Sequence, residues 1–290
     1  MNYNSEHIDL DLIDRKSKLF FSGGEFAWEK SQADIWMNLE QRIDSPRKAR
    51  IVAMRFSMTQ WMAAASVVIL FAVGGFMKFY TVSVQSPVGN HAEVVLPDQS
   101  RVKLNAESTI SYHPFWWKIS RTVKLEGEAF FEVEKGRKFT VNSSKGATRV
   151  LGTSFNIFAR EDIYRVTCVT GTVKVSSKNG YEAVIKPNSS AEITSGGQIK
   201  VTDHIEILPE ISWKENLFLF TAKPVLDVFR EIERQYGVII DVKTGDNLPY
   251  TGNFKKDQNV EEVLAYICPA MEYKLVKKSP VEFLIIRNDE

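Results

Sequence analysis

Residues 56–77 read FSMTQWMAAASVVILFAVGGFM, and this stretch divides the chain into its parts. It holds no charged residue between Arg55 and Lys78, over a length of 22 residues. A helix of that length is about 33 Å long, which matches a bilayer hydrocarbon core of about 30 Å. We therefore predict a single membrane-spanning helix within residues 56–80.

The side chains of this segment suit a lipid environment. Val67, Leu70 and Phe71 would face the acyl chains, while Trp61 and Tyr80 lie near the two ends, where aromatic rings favour the membrane interface. A buried helix of a globular core rarely runs this far without a charge. A cleavable signal peptide is disfavoured because a long polar segment precedes the run.

The charges that flank the run predict its orientation. The preceding 15 residues hold five lysines and arginines, whereas the following 15 hold only Lys78. Positive charge is retained on the cytoplasmic side of a membrane. We therefore expect residues 1–55 in the cytoplasm and residues 81–290 on the opposite side.

The cytoplasmic head, residues 1–55, carries one amphipathic segment. Apolar residues recur at three- to four-residue steps over residues 26–43, which predicts a helix with an apolar stripe. Trp28, Trp36 and Leu39 on this stripe are candidate contacts for a partner protein whose groove accepts the helix. Self-packing within the head, or a helix lying on the lipid surface, are the alternatives.

Residues 81–208 change to a period of two, which is typical of strands with one buried face. Glycine, proline and asparagine turn signals separate many short strands, so we predict an all-β domain. A weak repeat at an offset of 44 residues aligns Gly127 with Gly171, each inside a stretch interpreted as a strand. A glycine within a strand marks a bulge or a close backbone approach, and the repetition favours solenoid or sandwich-like layering.

Residues 209–290 predict a small α+β domain with the order βαββαββ and a single sheet. Thr221 is the predicted N-cap of the first helix, which Gly237 would end. Asn259 is the predicted N-cap of the second helix.

Composition and motifs exclude several functional classes. The net charge of +1 argues against nucleic-acid binding. Cys168 and Cys268 each lie in an apolar run and read as buried thiols. No catalytic set, metal-ligand spacing or cofactor motif is present, and Glu126 and Glu128 read as exposed residues of one strand. We therefore expect neither an enzyme nor a bound cofactor.

Several motifs, in this order along the chain, resemble those of the FecR-type anti-sigma regulators. The segments concerned are 96–105 (LPDQSRVKLN), 125–133 (LEGEAFFEV) and 151–157 (LGTSFNI). Residues 27–30 (AWEK) before the span also recur in that group. Residues 216–287 are similar to the domain that follows FecR in Bacteroidetes-type proteins, which is related to the secretin and TonB short N-terminal domain.

This resemblance implies a signalling protein of the inner membrane. Its periplasmic part would receive a signal from the signalling domain of an outer-membrane TonB-dependent transporter. Its cytoplasmic head would then release or help to activate an extracytoplasmic-function sigma factor. The alternative is a membrane-anchored periplasmic scaffold or binding protein without a sigma partner.

Overall fold

In a computed structural model of the chain, helix α1 spans Gln32–Ile43. The structure describes residues 11, 14, 15, 18, 31–43, 57–245 and 247–288. Ser31 starts α1 because its hydroxyl accepts a hydrogen bond from the Asp34 amide, and the Asp34 carboxylate accepts one from the Ser31 amide, both at 3.2 Å. These reciprocal bonds satisfy two of the amides that a helix start leaves open. The predicted amphipathic helix is thus confirmed from Gln32 onwards, and its first part lies outside the described residues.

Helix α2, Met58–Phe79, is formed by the apolar run. Ser57 and Gln60 cap its start, since the Ser57 amide donates to Gln60 Oε1 at 2.8 Å and the Gln60 amide donates to Ser57 Oγ at 3.4 Å. Its most apolar 18 residues have a mean hydropathy of 1.9, and none of the residues of the helix is buried. By length and composition it is able to cross a membrane, as the sequence predicts, with ends shifted by two residues.

Thirteen strands follow α2. They are β1 Val82–Ser86, β2 Ala92–Val95, β3 Arg101–Leu104, β4 Ser108–Tyr112, β5 Arg121–Glu132, β6 Phe139–Asn142, β7 Gly146–Val150, β8 Ser154–Arg160, β9 Ile163–Thr170, β10 Val173–Ser177, β11 Glu182–Ile185, β12 Ser189–Ile193 and β13 Ile199–Asp203. The prediction of a mostly-β domain is therefore confirmed.

Strand β5 organises this sheet because it serves two sets of neighbours. Its first half pairs with β4 and with β6, and its second half pairs with β3 and with β8. The two ends of the strand path, β11 and β13, lie beside each other. The result is a nearly closed, barrel-like sheet around one apolar core, rather than the solenoid or sandwich-like layering that the repeat predicts.

Gly127 and Gly171 have different roles, so the sequence repeat is not a structural one. Gly127 lies within β5 at the change of partners and has a φ of +98°, a conformation that side chains rarely tolerate. Gly171 lies in the turn between β9 and β10. The alternating residues before Gly171 therefore belong to β9, and those after it belong to β10. The two strands look like one in the sequence because the alternation continues across the tight turn that joins them.

Besides a short 3₁₀ helix, Ser212–Glu215, the described residues of the C-terminal part form three α-helices and five strands. They are α3 Leu208–Ile211, β14 Leu217–Pro224, α4 Val225–Tyr236, β15 Ile239–Val242, β16 Pro249–Lys255, α5 Val260–Ala270, β17 Tyr273–Ser279 and β18 Glu282–Arg287. From β14 onwards the predicted order βαββαββ is confirmed. The strands form two sheets, β14–β16 and β15–β18–β17, and not the single sheet expected.

The ends of α4 and α5 test the predicted caps. Thr221 does not cap α4, because β14 continues to Pro224 and that residue precedes the helix. Gly237 ends α4 with a φ of +69°, as predicted. The Asn259 side chain accepts a hydrogen bond from the Glu261 amide at 2.9 Å, which confirms the cap of α5.

Both cysteines are buried thiols, as predicted. Burial raises the pKa of Cys168 to about 11 and that of Cys268 to about 12. Since the thiolate is the reactive form, both side chains are poor nucleophiles near neutral pH.

Candidate functional site

The described part of the head presents the predicted partner-binding residues to solvent. Trp36 and Leu39 lie on α1 with exposed fractions of 65% and 44%. Their three-residue spacing places them on one face of the helix. Trp28 lies outside the described residues. The structure therefore brings Trp36 and Leu39 together on one exposed face of α1.

The predicted anchor residues lie along α2 and just after it. Val67, Leu70 and Phe71 are exposed by 50%, 72% and 78%. Trp61 and Tyr80, towards the two ends, are exposed by 66% and 43%. Outward-facing apolar side chains in the middle and aromatic rings at the ends are the arrangement that a lipid-facing helix needs.

The carboxylate of Glu128, in the second half of β5, accepts two side-chain hydrogen bonds in a buried site. The Asn105 side-chain amide donates to one of its oxygens at 2.8 Å, and the Asn156 amide donates to the other at 2.8 Å. Asn105 follows β3 and Asn156 lies in β8, the two neighbours of this half of β5. The three segments that resemble FecR motifs therefore meet at one carboxylate.

Helix α4 covers this carboxylate from outside the barrel. The Gln235 side-chain amide donates to Asn105 Oδ1 at 2.7 Å and to Glu231 Oε1 at 2.8 Å. Arg234 donates to the other oxygen of Glu231 from Nε at 3.1 Å and from Nη2 at 2.8 Å. Glu128 is thereby only 6% exposed. We refer to Asn105, Glu128, Asn156, Glu231 and Gln235 as the interdomain network.

Arg160 supplies positive charge next to the interdomain network. Its guanidinium donates to the carbonyl oxygens of Glu107 at 3.0 Å and of Ala106 at 2.5 Å, and to Ser108 Oγ at 3.2 Å. These bonds fix the β3–β4 connection. Because buried charges need partners, Arg160 and Arg234 together offset the two buried carboxylates.

The two carboxylates of the network differ in proton affinity. Burial raises the pKa of Glu128, and the neighbouring Glu231 charge raises it further. Burial alone would also raise the pKa of Glu231, but the charges of Arg234 and Arg160 outweigh it and lower that pKa. Glu128 is thus the carboxylate that takes up a proton first when the pH falls.

The sequence analysis missed this site and placed Glu128 wrongly. Glu126 is exposed and pairs with Lys124 at 2.7 Å, as expected of a solvated strand residue. Glu128 lies on the same face of β5, two residues further on, but α4 of the C-terminal domain covers it. The only signal in the sequence was that each of the three segments that resemble FecR motifs contains one residue of the interdomain network: Asn105, Glu128 or Asn156.

Phe130 and Phe131 are adjacent residues of β5 that pack in the cores of two different domains. Phe131 packs in the barrel core, whereas Phe130 belongs to the core of the C-terminal domain. Lys214 Nζ lies 3.7 Å from the centre of the Phe130 ring. Successive residues of a strand point to opposite faces, so the outer face of β5 is itself an interface between domains.

A cavity of about 360 Å³ lies beside the interdomain network. Its apolar lining includes Phe158, Trp213 and Phe220. Arg230 at its edge pairs with Glu161 at 3.2 Å and with Asp227 at 3.1 Å. The volume suits a small ligand or a partner side chain. The charged residues of its lining have both signs and define no ligand class.

His91 also lies at this interface, where its ring packs edge-on against Trp213 at 5.4 Å. Burial and the nearby Lys256 charge lower the pKa of His91 to about 4, below its ordinary value of 6.5. The folded state therefore favours the neutral ring. The resulting stability is complete above pH 6.5 and is lost as the pH falls towards 4.

We expect the His91→Phe variant to lose less stability on acidification than the unsubstituted chain. From pH 7 to pH 5 the difference should be about 1 kcal/mol. The unfolded chain takes up a proton at His91 over this range that the folded chain resists, phenylalanine has no such group, and solvent around the half-buried ring weakens the full effect. Urea unfolding of both chains at the two pH values measures it, and groups common to both cancel. Equal pH dependence of the two chains would contradict this assignment.

Two family models match the chain, in the order that the sequence analysis expects. The model described as FecR protein matches residues 82–174, and the model described as FecR, C-terminal matches residues 217–279. The first match contains Glu128 with both of its amide donors, and the second contains Glu231 and Gln235. The interdomain network therefore joins the two matched segments.

Two crystal structures of a protein from Parabacteroides distasonis, described as a "putative anti-sigma factor", have a similar fold. The first has a TM-score of 0.66 at 24% identity and covers 71% of this chain and 99% of its own. The second has a TM-score of 0.66 at 25% identity and covers 72% and 99%. No curated protein matches the chain.

Proposed function

This chain belongs to the FecR family, and on that premise we propose that it is a membrane-anchored anti-sigma regulator. The observation that carries the proposal is the order of the parts: a short helical head, one apolar helix, a FecR domain and a FecR C-terminal domain. The description of the similar Parabacteroides distasonis structures supports it. Its partner in the cytoplasm is an extracytoplasmic-function sigma factor.

The proposed organisation assigns one task to each segment. Residues 1–55 form the cytoplasmic head that contacts the sigma factor, and residues 56–80 anchor the chain in the inner membrane. Residues 81–208 form the periplasmic FecR domain, and residues 209–290 form the C-terminal α+β domain. A signal that reaches the periplasmic part is passed to the head through the covalent connection of a single helix.

The periplasmic partner in this proposal is the signalling domain of an outer-membrane TonB-dependent transporter. The C-terminal domain is suited to such a partner because β15 and β17 are the outer strands of a three-stranded sheet. An outer strand can accept a strand from another protein. The interdomain network supports transmission, since Asn105 connects Gln235 of α4 to Glu128 of β5 in the barrel.

We expect the double substitution Trp36→Ala and Leu39→Ala in the full chain to abolish capture of the sigma factor. Both side chains are exposed on one face of α1, and truncation of a buried aromatic contact in an interface costs about 2 kcal/mol or more, roughly a 30-fold loss of affinity. Co-purification of the tagged chain from cells that express the candidate sigma factor measures this.

The matched control is Gln41→Ala, which lies on the other side of the same helix and should leave capture unchanged. Loss of capture by both variants would point to damage to the helix and not to a contact face. If the unsubstituted chain captures no sigma factor at all, the scaffold alternative takes precedence.

The proposed topology has its own test. Alkaline phosphatase fused after Glu290 should be active, because this enzyme folds only where disulfides form, on the periplasmic side. Fusion of a cytoplasm-dependent fluorescent protein at the same point should give no signal. The opposite pair of results would reverse the orientation.

A further inference from the structure

The connection between β4 and β5 carries an unusual apolar surface. Residues 113–120 read HPFWWKIS, and we call them the aromatic loop. Trp117 holds the loop to the barrel, since it is only 4% exposed and packs edge-on against Tyr112 at 5.7 Å and Phe139 at 5.9 Å. Phe115 and Ile119 on either side of it remain 49% and 64% exposed. The loop is therefore anchored in the barrel while two large apolar side chains project outwards.

The aromatic loop touches the end of α2. The ring of Phe115 lies 6.2 Å from that of Phe76 and 5.3 Å from that of Tyr80. His113 Nδ1 lies 3.1 Å from the Tyr80 carbonyl oxygen and 3.1 Å from Thr81 Oγ1. The loop is thus fixed against the last turn of the helix by ring contacts and polar contacts together.

These contacts set the depth of the loop. Phe76 lies three residues before the end of α2, which corresponds to about 4.5 Å along the helix axis. A ring in contact with Phe76 lies beside the final turn of the span and not beyond it. In a bilayer that α2 crosses, this level is the boundary between headgroups and acyl chains, where aromatic residues are favoured.

Three positive groups lie in the loop or next to it. The loop contains Lys118 and no acidic residue, and Lys78 lies at the end of α2. The Arg137 guanidinium donates a hydrogen bond to the Lys118 carbonyl oxygen, which brings a third positive group to the same place. Lysine and arginine beside apolar rings are suited to lipid phosphates, because positive groups close to an anionic membrane surface are attracted to it.

We propose that the aromatic loop is a second membrane contact, in which Phe115 and Ile119 enter the lipid interface on the side of the exported domains. The proposal rests on the membrane span proposed above. It means that the barrel is held to the bilayer at two points, by α2 and by the loop. A barrel held in this way has a fixed orientation over the membrane, so that movement of the barrel acts directly on the helix.

The test uses the full chain in nanodiscs of phosphatidylcholine and phosphatidylglycerol, with one nitroxide label per variant. Labels are placed at Ile119→Cys, at Leu70→Cys in the middle of the span, and at Tyr266→Cys, an exposed residue of α5. The two native thiols are buried, and the unsubstituted chain measures their background labelling. Collision with oxygen, which concentrates in lipid, is compared with collision with a water-soluble nickel chelate.

We expect the Ile119 label to show more oxygen collision and less nickel collision than the Tyr266 label. Addition of Phe115→Ser should move the Ile119 label towards the Tyr266 values. If the Leu70 label is in lipid but the Ile119 and Tyr266 labels are equally accessible to nickel, the span is correct and this inference is wrong. If the Leu70 label is itself accessible to nickel, the proposed span fails and this inference fails with it.

Discussion

Substitution of Gly127 by valine should destabilise the barrel domain by about 4 kcal/mol. Backbone strain at a φ of +98° contributes roughly 1–3 kcal/mol, and overpacking contributes roughly as much again. A Cβ atom at this position would lie 2.5 Å from Ser108 Oγ and 2.7 Å from Ser108 Cα. Ser108 has no freedom to withdraw, because its hydroxyl accepts hydrogen bonds from the Glu128 amide and from Arg160.

The matched control for this variant is Gly180→Val. Gly180 has a comparable φ of +86° but no heavy atom within 4 Å of the position a Cβ would take. It should therefore show the cost of the backbone alone, about 1–3 kcal/mol. Urea unfolding of both full-length variants in detergent micelles, followed by tryptophan fluorescence, measures the difference. Equal destabilisation of the two would show that the close approach to Ser108 is unimportant.

The second large effect is expected from Glu128→Leu, at about 4 kcal/mol. The substitution leaves the side-chain amides of Asn105 and Asn156 without their acceptor in a buried site, and each unsatisfied group costs about 1–3 kcal/mol. It also removes one of the negative charges that balance Arg160. The same urea titration measures the loss.

The control for this variant is Glu126→Leu, two residues away on the same strand. Its carboxylate is exposed, and its ion pair with Lys124 is exposed as well, so the change should remain within about 0.5 kcal/mol. A loss of similar size at both positions would contradict the assignment of Glu128 as the centre of the interdomain network.

A double-substitution cycle separates coupling between domains from stability within the barrel. Asn105 bonds to Glu128 in β5 and to Gln235 in α4, so Glu128→Leu and Gln235→Leu act on one shared partner. We expect their effects to be non-additive by about 0.5–3 kcal/mol. Additive effects would mean that the two domains do not communicate through Asn105.

This network gives a physical route for the signal that the proposed function requires. Glu231 and Gln235 lie on one helix of the C-terminal domain, while their partners lie on the barrel. A movement of α4 therefore changes the environment of the buried Glu128 carboxylate. Arg160, which lies next to that carboxylate, also holds the connection between β3 and β4. Strand β4 in turn leads into the aromatic loop that contacts α2.

The local pattern of the sequence was sufficient for several separate elements. The absence of charge over 22 residues predicts α2, and alternation with a period of two predicts the β domain. The order βαββαββ and the Asn259 cap follow from periodicity and from capping residues. These features depend on neighbours a few residues apart, which is why the sequence alone determined them.

Only the tertiary structure decided which outer faces are covered. Glu126 and Glu128 are both glutamates and lie two residues apart on one face of β5. Glu126 is nevertheless exposed to solvent, whereas Glu128 lies beneath α4. The contact that distinguishes them, between Gln235 and Asn105, joins residues 130 positions apart. The division of the C-terminal strands into two sheets and the closure of the barrel at β11 and β13 have the same origin. Periodicity reports which face of an element is apolar, but the packing of distant elements determines what lies against the other face.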